Sequence, residues 1–176
     1  HIRIRYNHIS DNTALGGTGG GIALYTGSDN YEVTDNAICG NFSIGNGGGI
    51  GHQGLSLNGL IADNKIVFNQ CFNQGLTVSG GGISIGGEVP LIGMNGLTPG
   101  SGAVLVLDNL IQGNNAAAGD GGAIRLQYVN GQDVGRSRNQ PAGWYAINIF
   151  NNMIVNNVAG LAGAISLQDA ARVNII

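Results

Sequence analysis

The stretch DGGAIRL, residues 120–126, puts two glycines before a small residue and then alternates apolar and polar side chains. Near copies of it stand at NGGGIGH (46–52), SGGGISI (79–85) and LAGAISL (161–167). One such string reads as a loop followed by a strand. Its recurrence marks a repeat, and a repeat decides the architecture before any single element does.

Aligning the glycines brings out a second signature upstream, Asn-x-Ile-x-x-Asn. It occurs at NHISDN (7–12), NAICGN (36–41), NKIVFN (64–69), NLIQGN (109–114) and NMIVNN (152–157), and VNI (173–175) opens a further unit. Each unit holds three short stretches of period 2 separated by bends, and none has a helical period. In the fourth unit these are Val104/Val106, Ile111 and Ile124/Leu126. Three such strands, repeated in order, predict a coil that stacks on itself, with equivalent strands pairing in parallel about 4.8 Å apart. The fold class expected is therefore all-β: a right-handed parallel β-helix of about five rungs, a solenoid in the sense of the repeat proteins. Residues 1–176 read as a single segment of it, an internal piece of a longer chain.

The glycines and asparagines have physical work in such a coil. Glycine takes the positive φ that a tight bend needs, and stacked glycines let neighbouring backbones approach closely. Asparagine tolerates the left-handed region, and its amide can hydrogen-bond to the coil above. Two structural ladders are expected: Asn7, Asn36, Asn64, Asn109 and Asn152, and Asn12, Asn41, Asn69, Asn114 and Asn157.

Composition bounds the rest. The 33 glycines sit beside 43% hydrophobic residues, and the regular Ile, Val and Leu argue against disorder. A formal net charge of −3 with a single lysine speaks against nucleic acid as a partner. No apolar run is long enough for a transmembrane helix.

On these motifs the chain resembles the pectate-lyase-like right-handed β-helix superfamily over nearly its whole length. GGAI (121–124) and AGAI (162–165) also resemble the repeats of bacterial surface and autotransporter-type passengers. The resemblance to polysaccharide-cleaving members would imply paired aspartates, a Gly-His-Gly and an Arg-x-Lys on adjacent rungs. This chain offers GHQG (51–54) and neither of the other two, and His52 falls in an inward column with Leu24, Ile85, Leu126 and Leu167, where a structural histidine is expected.

Other chemistry is sparse. Asp35, Asp63 and Asp108 each precede a ladder asparagine; they are the carboxylates a cation could use, but the expected role is that of solvated turn residues, so no metal and no cofactor is assigned. Cys39 and Cys71 differ in register, Cys71 in a column of small residues and Cys39 facing out, so no disulfide is expected. No residue is assigned as catalytic.

The irregularities are more informative. The first ladder asparagines are spaced by 29, 28, 45 and 43 residues, because two insertions, 86–102 and 127–145, enter at the same corner. Long loops on a regular scaffold are where binding is commonly placed. The second carries Tyr128, Asp133, Arg136, Arg138 and Trp144, the residue types that anchor a protein or glycan partner. Outward leucines nearby (Leu60, Leu105, Leu107) are expected to be covered by the loops or by another chain.

The function expected is non-catalytic: a scaffold, adhesin or assembly component of a secreted or cell-surface, outer membrane-associated bacterial β-helix protein. The alternative is part of a polysaccharide lyase or glycoside hydrolase of the same fold. The partners expected are further rungs of the same chain or another protein chain at both ends, and a glycan at the loops.

Overall fold

The computed structural model describes residues 1–89, 92, 98–131 and 143–176. Its strands are two to four residues long, separated by bends rich in Gly, Asn and Asp. Six of them, Ile2–Arg5, Tyr31–Thr34, Gly59–Ala62, Val104–Leu107, Ile147–Phe150 and Val173–Ile175, pair in that order as sheet I. Sheet II is built from His8–Ser10, Ala37–Cys39, Lys65–Val67, Leu110–Gln112 and Met153–Val155. Sheet IV is built from Ile22–Tyr25, Ile50–Gln53, Ile83–Gly86, Ile124–Gln127 and Ile165–Gln168. Pairing is parallel throughout these sheets. The chain visits the sheets in turn and returns to the first, as a parallel solenoid does.

Between sheets II and IV lies a short sheet III of three two-residue strands, Thr13–Ala14, Phe42–Ser43 and Gln70–Cys71. Single bridges at Asn115 and Val158 carry its line onward. The alternation predicts three strands per unit, and the structure adds this fourth, which two residues are too few to show as a period.

Register follows from the apolar columns. Ile9, Ile38, Ile66, Ile111 and Ile154 stack in sheet II, and Ile22, Ile50, Ile83, Ile124 and Ile165 in sheet IV. Ile38, Ile66 and Ile111 are fully buried, as are Ile50, Ile83 and Ile124. A slip of one residue would turn a whole column into water.

The glycine string that opens the first four sheet IV strands solves two separate problems. Gly47, at φ +71, makes the bend, and Gly19, Gly80 and Gly121 do the same in their own coils at +78, +74 and +62. The next glycine is required by its neighbours. A Cβ on Gly81 would stand 2.6 Å from the Gly122 carbonyl oxygen and 2.6–2.7 Å from the Asn115 backbone. The third position is looser, and there the later coils carry Ala123 and Ala164.

Both asparagine ladders run the length of the stack. In the first, each side-chain amide donates to the Oδ1 of the next, at 3.1, 3.0, 3.0 and 2.9 Å from Asn7 to Asn152. The second repeats this from Asn12 to Asn157 at 2.9, 3.0, 3.0 and 3.0 Å. Each Oδ1 that accepts a side-chain amide also accepts the backbone N–H of the preceding ladder residue. A buried amide therefore has its full complement of partners, which makes its burial tolerable.

Just before the second ladder, one column holds Asp11, Gly40, Phe68, Gly113 and Asn156, all at positive φ. Phe68, at φ 56 and 63% exposed, is the poor fit there. A bulky residue in this region carries about 1–2 kcal/mol of strain. Phe68→Asn is expected to raise stability by up to about 1 kcal/mol, the remainder being lost with the ring's contact over Gly113, and a urea melt checks it.

Candidate functional site: the loop-bearing corner

The corner between sheets IV and I is a plain turn in one coil and the root of an insertion in the next. After Ile50–Gln53 the chain crosses it through Gly54 to Asn58. After Ile83–Gly86 and Ile124–Gln127 it instead starts the two long loops. Their roots are built into the stack. Gly87 N–H donates to Gln127 O at 2.8 Å, Glu88 N–H to Gly100 O at 3.2 Å, and Ser101 N–H to Val129 O at 3.1 Å. Ser101 and Val129 are fully buried. Asn130 ties the second root to the last coil: its amide donates to Tyr145 O at 2.7 Å, and its Oδ1 accepts Arg172 N–H at 3.0 Å.

Glu88 reaches the other way. Its carboxylate accepts the Thr26 hydroxyl at 2.5 Å and the Leu55 N–H at 3.4 Å. Burial, with the Asp29 carboxylate second, pushes the Tyr145 phenol above its ordinary range. The corner is thus a continuous seam from the first coil to the last.

Among the loop residues singled out from the sequence, Tyr128 and Trp144 sit half-buried at the root of the second insertion. Tyr128 takes φ 54, and its N–H donates to Gln168 O at 3.3 Å. Trp144 O accepts from the Arg172 guanidinium at 3.1 Å, while its buried indole Nε1 has no hydrogen-bond partner among the described residues. Asp133, Arg136 and Arg138 lie outside the described residues. Leu60, Leu105 and Leu107 are half-buried; the first two line a groove of about 310 Å³ with Asn58, Ala103, Ala146 and Asn148 on the outer face of sheet I.

The aspartate column is a turn column. Asp35, Asp63 and Asp108 are in the left-handed region at φ 57, 56 and 54, where Tyr6 and Asn151 stand in the flanking coils. Asp35, Asp63 and Asp108 differ in burial from the ladder beside them: all three side chains are exposed. Among the described residues no group of three His, Cys, Asp or Glu side chains is placed to hold a metal ion. Cys39 and Cys71 are free; Cys71 lies fully buried with Val78 and Ala116, and burial pushes its thiol up to about 12.

His52 is buried inside the stack. Its Nδ1 lies 2.9 Å from the Tyr31 hydroxyl and its Nε2 2.8 Å from Gly54 O. A carbonyl only accepts, so Nε2 carries the proton and Tyr31 donates to Nδ1. Burial holds His52 below its ordinary range, partly offset by the backbone bonds to Gly54 and Ser101, and burial drives Tyr31 far above its own. Tyr31 was not singled out from the sequence, yet a signal existed. Its column runs Ile2, Tyr31, Gly59, Val104, Ile147, and the glycine empties the space that the ring fills: a Cβ on Gly59 would stand 2.3 Å from the Tyr31 ring.

No family model matches the chain, and neither does any curated protein or solved structure. The corner is a hydrogen-bonded seam that carries the roots of both insertions, with His52 and Tyr31 sealed in the core.

Proposed function

We propose that this chain is a non-catalytic scaffold or adhesive segment of a secreted or cell-surface bacterial β-helix protein of the right-handed, pectate-lyase-like kind. One observation carries the proposal: both insertions are rooted at one corner, with their stems hydrogen-bonded to each other and to the coils on either side. A stack stiffened by two amide ladders gives reach, and loops on a rigid support give contact surface. The sealed position of His52 further supports a non-catalytic role, since a histidine bonded at both nitrogens inside the core cannot reach a substrate.

Within this proposal, Tyr128, Asp133, Arg136, Arg138 and Trp144 contact the protein or glycan partner. The outer strands of sheet I, Ile2–Arg5 and Val173–Ile175, pair with further rungs or with another chain. The test uses immobilised polygalacturonate and an immobilised neutral glucan. Retention of the protein, lost in an Arg136→Ala/Arg138→Ala variant and without release of new reducing ends, is the expected result. Cleavage of either polymer would overturn the proposal in favour of a lyase or hydrolase.

A further inference from the structure

His52 is the one polar side chain in an inward column otherwise made of Leu24, Ile85, Leu126 and Leu167. An aliphatic residue would fill that place without a hydrogen-bonding demand, so what the histidine adds is its link to the turn after it. Its Nε2–H donates to Gly54 O at 2.8 Å. Gly54 N–H donates to Gly86 O at 2.8 Å, and Ser56 N–H donates to Ser101 O at 3.0 Å. Leu55 N–H points to the Glu88 carboxylate. The turn 54–57 thereby holds both stems of the 86–102 insertion, and His52 holds the turn.

We propose that the His52–Tyr31 pair makes this loop root acid-sensitive: a proton on Nδ1 leaves the Nε2–Gly54 bond in place but disfavours the ring in its core position, so that acid favours openings in which the ring leaves and takes with it the turn 54–57 and, through it, both stems of the 86–102 loop. The neutral pair is closed: Tyr31 donates to Nδ1, and Nε2 donates to Gly54 O. Protonation gives Nδ1 a hydrogen of its own. The Tyr31 hydroxyl must then turn to accept it, and its own hydrogen is left without a partner in the core. Among the described residues no charged side chain contributes to the His52 environment. Across the interior the ring faces Tyr31 and the aliphatic neighbours Leu24 and Ile85. The carboxylates that bond to the turn segments are engaged there: Glu88 by Thr26 and Leu55, and Asp29 by Leu57 N–H.

The sign follows from the depressed proton affinity of the folded state. Stability from neutral His52 is fully present above about pH 6.5, the free histidine value, and falls as the pH drops below it. One proton sets an upper limit of about tenfold per pH unit in the opening equilibrium.

Hydrogen–deuterium exchange of the whole protein, corrected for the intrinsic rate, reads this directly. Between pH 7.0 and 5.0, protection at 53–58 and at the stem residues 86–89 and 98–102 is expected to fall at least tenfold more than protection in the ladder strand 109–114. His52→Leu, which continues the column, is expected to abolish the difference. Tyr31→Phe removes the donor that stabilises neutral His52, and is expected to move the midpoint to higher pH. Equal loss across all peptides, or a wild-type profile unchanged in Tyr31→Phe, would overturn the proposal; so would a pH-dependent loss retained in a folded His52→Leu.

Discussion

Replacing Asn109 with Leu is expected to cost about 3 kcal/mol, read as a shift in the urea midpoint at unchanged slope. The residue is 2% exposed, and its amide serves two coils. Its Oδ1 accepts Asn64 N–H at 2.9 Å and Asn64 Nδ2 at 3.0 Å, while its own Nδ2 donates to Ile61 O and to Asn152 Oδ1 at 2.9 Å. Leucine has the right volume and none of the partners. The buried Asn64 N–H loses its only side-chain acceptor, and the Ile61 carbonyl loses a donor. An orphaned buried donor costs about 1–3 kcal/mol, and together with the lost amide bonds it outweighs the modest apolar gain from the larger side chain. An unchanged midpoint would mean that Asn109 does not bridge its neighbours.

The larger effect is expected at a position that carries no side chain at all. Gly81→Ala introduces a methyl at 2.6 Å from the Gly122 carbonyl oxygen and against the Asn115 backbone, atoms that cannot rotate away. Relieving that contact requires two coils to separate locally, which breaks parallel pairing on both sides. The expected loss is above about 3 kcal/mol, at the upper end of overpacking effects. Gly82→Ala is the control. Its methyl meets one backbone oxygen, at 2.8 Å, and side-chain atoms at 3.1 Å, in a position where the next coils already hold Ala123 and Ala164. Its expected cost is under about 1.5 kcal/mol. Equal costs at 81 and 82 would contradict the stacking assigned to these coils.

The contrast between those two glycines shows what a reader of the sequence could and could not see. The repeat GG(G/A)I and the pairs of asparagines are visible because each coil must solve the same bend with the same residues, so the solution recurs in the letters. The columns follow from that alignment, and the pairing of Cys39 with Ser10 and Val67 is found where the alignment puts it. Sheet III was not legible because two residues cannot display a period. The Tyr31–His52 contact was hidden for another reason: it crosses the coil interior between different sheets, so no repeat carries it. Only the size swap between Tyr31 and Gly59 hinted at it. The loop roots were legible as irregular spacing, yet the seam through Glu88, Asn130 and Tyr145 depends on side chains reaching between non-equivalent positions. Such contacts are particular to one place and leave no recurring trace.

The ladders are the most direct expression of the fold, because their hydrogen bonds exist only if the coils stack in this register. Side-chain amide protons in solution NMR report them individually. The expected result is slowly exchanging, mutually connected amide pairs running Asn36, Asn64, Asn109, Asn152 and Asn41, Asn69, Asn114, Asn157, with cross-peaks between successive members. Rapid exchange of these amides with water, or cross-peaks joining asparagines from different ladders, would contradict the stacked parallel solenoid.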